Sequence, residues 1–255
     1  MTQPGLRRTI LVEMHKLATM RMTAGIGAGA LGIVAIFTLV TLLTAGPEPT
    51  DGLPGLAGEE GQRLLLSSGS FAAVAIVVLG ILVTAGEYRH RTIVGSLLFE
   101  PRRGRLLGSK IAVVAAISLV IGAVASALAV GVGALGLRSR GIGLDLGSGE
   151  LAAIIAGTTG YVGVTAVIGC AVGALVREQI TAVVATLGVI WIADPLISQV
   201  IPEVGHFGPG GLGKSLTGAP VDDGLSAVPA GIALAVIALV LILAALRGQR
   251  ADVFT

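Results

Sequence analysis

One stretch of the chain offers ready-made chemistry. Gly208-Pro209-Gly210-Gly211-Leu212-Gly213-Lys214-Ser215 satisfies the phosphate-loop pattern G-x-x-x-x-G-K-[ST], in which backbone N–H groups cradle phosphates, the lysine reaches the outer phosphates and the hydroxyl holds magnesium. That chemistry needs a strand before the glycines and a helix after them. Here Pro202-Glu203-Val204-Gly205-His206 precedes the match and Leu216-Thr217-Gly218-Ala219-Pro220 follows it, without that context. The apolar run ending in Asp194 resembles a Walker B strand, yet it comes before the match and reads better as a membrane span. The match is therefore refused as a nucleotide site. Residues 201–224 hold 10 Gly or Pro in 24 positions, which fits turns joining short re-entrant segments.

Other reactive side chains are scattered. His15, His90 and His206 lie in three different non-membrane segments, so no H-E-x-x-H zinc pair exists. Cys170 sits in an apolar run with no nearby base to make a thiolate, and its expected role is packing. Ser67-Ser68 and Thr158-Thr159 could line a polar path, although hydroxyls that serve helix packing are commoner. Asp194, at the end of a run, is the ionisable residue nearest a membrane midplane. Proton- or ion-driven carriers place such a group in the midplane despite a cost of about 2.5–3.5 kcal/mol. Its absence argues against self-powered transport and against an intramembrane enzyme.

The elements that carry these residues are membrane spans. Of 255 residues 54% are hydrophobic and 13% charged, with mean hydropathy +0.93, too apolar for an ordinary soluble domain. The aromatic share of 3% argues against an outer-membrane barrel with its aromatic girdles. A single cysteine excludes an intrachain disulfide. Charge-free runs long enough to cross the hydrocarbon core, about 20 helical residues, cover 22–47, 64–86, 111–137, 151–176 and 225–246. A sixth, 179–193, is short and ends at Asp194-Pro195, unless the apolar run 196–201 extends it beyond a kink. The first run is too long for a signal peptide and lacks a cleavage site, so it is expected to be retained. Six spans put both termini on one side.

Charge orients them. The N-terminus, residues 87–110, Arg177-Glu178 and the C-terminus hold 13 of the 17 basic residues, whereas the other three loops hold only Arg63, Arg138, Arg140 and Lys214 and carry 10 of the 15 acids. The positive-inside rule then places both termini and the 87–110 loop in the cytoplasm. Trp191, near the end of the fifth span, is expected as an interfacial anchor. Small residues recur at Gly25 and Gly29, at Gly169 and Gly173, and along Gly157, Gly160 and Gly163. That spacing permits close helix approach, within the subunit or across a dimer.

Two cytoplasmic elements stand out. Before the first span, Leu6, Ile10, Met14 and Leu17 form one apolar stripe, with Arg7, Arg8, His15 and Lys16 off it. The pattern predicts an interfacial helix on the inner leaflet. In the loop between the second and third spans, Ile93, Val94, Leu97 and Leu98 make two i,i+4 pairs after the potential cap Thr92, and Pro101 ends the run. A short apolar-faced helix between charged flanks suits docking into a groove of another protein; a linker whose arginines meet anionic lipid is the alternative.

The whole chain resembles a permease subunit of the type-2 ABC exporters. The resemblance rests on an acid-x-x-Lys…Arg pattern at Glu13, Lys16 and Arg21, and on a loop pattern at Glu87, Tyr88, Arg89, Thr92, Ile93, Pro101, Arg103 and Lys110. Arg91 stands where the family often has glycine. The resemblance implies an all-α integral membrane protein, a single permease domain over residues 1–255 in the inner (plasma) membrane. It implies six transmembrane helices, an N-terminal elbow helix within 1–21, a coupling helix within 87–110 that touches the ATPase, and an extracytoplasmic re-entrant segment within 194–224. Glu87, Tyr88, Arg89, Thr92, Ile93, Leu97, Pro101 and Arg103 would form the coupling contact, and Glu13, Lys16 and Arg21 the elbow. This chain would catalyse nothing and bind no cofactor or metal; ATP and Mg would sit on separate cytoplasmic ATPase subunits. Its other expected partners are a second copy or a similar permease and the lipid bilayer, with no nucleic acid. Few polar groups in the spans hint at a small or amphipathic substrate. A membrane anchor or assembly protein without a transport path is the rival reading.

Overall fold

The computed structural model describes residues 6–49, 53–89, 103–220 and 225–251, and the regular elements in them are all helical. In chain order they are α1 (Leu6–Thr19), α2 (Arg21–Thr44), α3 (Glu59–Leu66), a 3-10 turn (Ser67–Phe71), α4 (Ala72–Arg89), α5 (Arg103–Ser139) and α6 (Ser148–Val176). They continue as α7 (Gln179–Gly188), a π turn (Val189–Ala193), α8 (Asp194–Val200), α9 (Pro202–Gly205), α10 (Pro209–Thr217) and α11 (Ala227–Ala251). Among the described residues six stretches are long and apolar enough to cross a membrane: Arg21–Thr44, Glu59–Glu87, Gly104–Ser139, Ser148–Val176, Gln179–Val200 and Ala227–Gly248.

The hydroxyls in the C-terminal half of α2 are satisfied locally. Thr38, Thr41 and Thr44 of α2 donate to the carbonyls of Val34, Phe37 and Val40, one turn back, which removes the cost of carrying a hydroxyl in an apolar helix. Thr38 also meets Ser68 at 2.7 Å, in the 3-10 turn that interrupts the second span. Gly69 of that turn lies against the α5 backbone, where an added Cβ would sit 2.9 Å from the Cα of Ser126.

The second and fourth spans form the centre, with 67% and 50% of their apolar windows buried, against 22%, 17% and 6% for the first, sixth and fifth. Ile76 and Leu79 of α4 pack with Val162, Ala166 and Cys170 of α6, and Val114 and Ala125 of α5 and Val34 of α2 complete the cluster. α4 and α6 approach closely because Gly169 and Gly173 present no Cβ to Val77, Ile81 and Thr84. The other spaced glycines behave differently. Gly25 and Gly29 have nothing within 4 Å. Gly157 lies against the Leu216 carbonyl and Gly163 against the Leu119 side chain, while Gly160 is open.

The fifth span takes the longer of its two expected extents: it does not stop at Asp194-Pro195 but runs on to Val200. Pro195 lacks an N–H and would crowd the carbonyl four residues back. The π turn widens the helix there, with the Asp194 N–H reaching the Val189 carbonyl. Trp191 accordingly sits within this turn, half exposed, rather than at a span end.

Candidate functional site

At the end of the bundle nearest α1, four charged residues from three helices converge. Glu13 and Lys16 come from α1, Glu87 from the last turn of α4, and Lys110 from the second turn of α5. Lys110 Nζ donates to Glu13 Oε2 at 2.8 Å and to Glu87 Oε1 at 2.7 Å. Lys16 Nζ reaches the same Glu87 oxygen at 2.5 Å. Glu13, Glu87 and Lys110 are each at most 5% exposed, whereas the Lys16 side chain is 41% exposed. Carboxylates this deep need a cation, since burying an unpaired charge is prohibitive. Lys110 supplies it to two acids at once.

This cluster resets the face of α1. Met14, assigned to the apolar stripe, is exposed, and Glu13 takes the inward position with Thr9 and Leu17. Ile10 and Leu17 do pack against the core. Periodicity assigns faces by apolarity alone, so it has no means of placing an acid inward when its cation arrives from a helix almost a hundred residues away. Glu87 likewise spends Oε1 on internal lysines.

The cluster also brackets the loop singled out in the sequence. Glu87 closes one stem and Lys110 the other, so their ion pair ties together the two helices between which the loop runs. Tyr88 and Arg89 end α4 and Arg103 begins α5; Arg21 begins α2 and is exposed. Thr92, Ile93, Leu97 and Pro101, with the rest of 90–102, lie outside the described residues.

The opposite end is held by a polar network of another kind. Gln62, fully buried, donates to the Gly143 carbonyl at 2.9 Å and accepts the Asp145 N–H at 2.9 Å. Arg140 donates to the Ala45 carbonyl beyond α2 at 2.9 Å, and Arg63 pairs with Glu59 and Glu150. Three of the four basic residues that fall outside the main basic set are thus Arg63 and Arg140, engaged by acids or a carbonyl, and Lys214, which is exposed on α10.

The phosphate-loop match forms α10, capped at Gly208 and preceded by α9 rather than by a strand. Its anion position is filled from within the chain. Asp194 Oδ2 accepts the Gly210 N–H at 3.0 Å, and a methyl at either Gly208 or Gly210 would overlap the Asp194 carboxylate. The glycines therefore admit a side chain of the fifth span. No local signal in the sequence announces this contact, because it depends on the π turn that carries the helix past Pro195. No family model matches the sequence, and no curated protein matches it.

Proposed function

We propose that the chain is the membrane-spanning permease subunit of an ATP-driven exporter of the type-2 ABC kind, coupled to separate cytoplasmic ATPase subunits and paired with a second permease. The observation that carries this reading is the meeting of its two sequence motifs. Glu13 and Lys16 of the first and Glu87 and Lys110 of the second share one buried ionic cluster.

In this reading α1 is the elbow helix on the inner leaflet and the 87–110 loop carries the coupling contact. A push on that loop by the ATPase reaches α4 and α5 through their stems. The cluster makes α1 follow, because displacing one stem alone would strip a cation from a buried acid. α4 is part of the most enclosed span and lies backbone-close to α6, so movement enters the centre of the bundle rather than its rim. ATP is hydrolysed on the partner. The few polar groups along the spans favour an amphipathic cargo.

The test is pull-down of the ATPase subunit by the full-length chain. Ile93→Asp with Leu97→Asp puts two carboxylates into the docking contact, where unpaired charge is costly. The variant is expected to insert into the membrane at parental level and to retain under about a tenth of the bound ATPase. Parental recovery of ATPase by this variant, or none by the parent, would favour the anchor reading instead.

A further inference from the structure

The outer half of the fifth span has few ties to the body of the protein. α7 packs on α4 and α6, but α8 packs chiefly on its own π turn, on α9 and on α10. α10 in turn is wedged between α6 and α11, with Leu212 buried against Ala230 and Leu234. Its first turn is gripped from two sides. Asp194 of the fifth span takes the Gly210 N–H, and the Tyr161 hydroxyl of α6 donates to the Pro209 carbonyl at 3.4 Å. The Tyr161 ring also fills the space beside Gly213.

We propose that Asp194 is a latch: by capping the first turn of α10 it holds that helix docked between α6 and α11, and it lets go when the outer half of the fifth span swings away. Two features make the contact a latch rather than a fixed strut. Among the described residues its acidic half pairs with no lysine or arginine but with a helix N-terminus, whose free N–H groups and dipole stabilise a carboxylate modestly. Its two halves stand on an element that is little buried and a helix of nine residues, so separation disturbs little else. A carboxylate cannot be left dry after release, so undocking must admit water beside α10, and redocking must expel it. In an exporter that motion opens and closes the far end of the path. This gating role rests on the permease reading; the latch does not.

The experiment uses the full-length protein in a Cys170→Ala background with Leu234→Cys, a thiol hidden beneath Leu212, as reporter. A membrane-impermeant maleimide reads its accessibility. Asp194→Leu removes the cap and is expected to speed labelling at position 234 about tenfold, while a Val34→Cys reporter in the core stays protected. Unchanged labelling at 234 would overturn the latch.

If Val34→Cys is labelled too, the variant has unfolded, and the decision passes to a lockable pair, Asp194→Cys with Gly210→Cys. The added Cβ at Gly210 meets only the Asp194 carboxylate, which the first substitution removes. A bridge that forms readily and protects the 234 thiol until dithiothreitol is added supports the latch; a pair that does not bridge overturns it. With the ATPase bound, ATP is expected to speed labelling at 234 in the reduced pair and not in the bridged one. Equal acceleration in both would overturn the gating role alone. A chain that recovers no ATPase would remove the permease reading and the gate with it, leaving the latch to stand or fall on Asp194→Leu.

Discussion

Glu87 and Asp194 are both acids less than a tenth exposed, Glu87 in the last turn of α4 and Asp194 within the fifth span where the π turn meets α8, yet their charges are met in opposite ways. Glu87 shares a buried lysine with Glu13 and takes a second lysine from α1. Asp194 takes a backbone N–H and the dipole of a short helix. A full cation between two carboxylates fixes three helices at once, and removing that cation leaves two buried acids without it. A dipole cap is weaker and involves one helix on each side. The end with the ionic cluster is built to move as a unit, and the end with the capped helix is built to come apart.

The largest effect expected from this difference is at Lys110. Lys110→Met keeps much of the stem but leaves Glu13 and Glu87 facing each other without the shared cation. It should cost about 3–5 kcal/mol. The measurement is thermal unfolding in detergent, read by a thiol-reactive fluorophore at Cys170, which is the only cysteine in the chain and fully buried. Adding Glu13→Gln to Lys110→Met should recover part of the loss, since it removes one of the stranded charges. A parental melting curve for Lys110→Met would break the comparison at its stronger end.

Next comes the cap. Asp194→Ala in the same assay should cost about 1–2 kcal/mol, the range for a lost N-cap with a contribution from the helix dipole. Asp194→Asn, which keeps an accepting oxygen, should cost less. A loss from Asp194→Ala as large as that from Lys110→Met would mean that the fifth span is held as firmly as the stems, and the contrast between the two ends would disappear.

What could be read from the sequence divides along the same line. Six spans follow from long charge-free runs, because twenty apolar residues in a row leave a helix few other places to go. The four residues of the ionic cluster were legible as members of motifs, but their meeting was not, because Glu13 and Lys110 are distant in the chain and neither local pattern names its partner. How far the fifth span runs beyond Asp194-Pro195 is not legible, because the local rule says stop there while the apolar run continues; a π turn carries the helix on, and Asp194 caps α10. The glycine pairs make the point again: Gly25 and Gly29 share the spacing of Gly169 and Gly173, but only the second pair faces another backbone.

The smallest effect, and the one that sharpens the comparison most, concerns Lys16. Its bond to Glu87 is as short as those of Lys110, so geometry alone would rank the lysines together. Solvent separates them. The Lys16 side chain is 41% exposed while that of Lys110 is 5% exposed, and a half-exposed ammonium loses most of its pairing energy to water and salt. Glu87 also keeps Lys110 when Lys16 is gone, so no buried charge is stranded. Lys16→Ala should therefore cost about 0–1 kcal/mol, and raising the salt to about 1 M should erase the difference from the parent. A double-mutant cycle with Glu87→Gln measures the pair directly: coupling to Lys16→Ala should stay within about 1 kcal/mol, and coupling to Lys110→Met should exceed it. Equal couplings would show that burial does not set the strength of this cluster. The lysine on α1 would then be as essential to holding the stems together as the lysine between the acids.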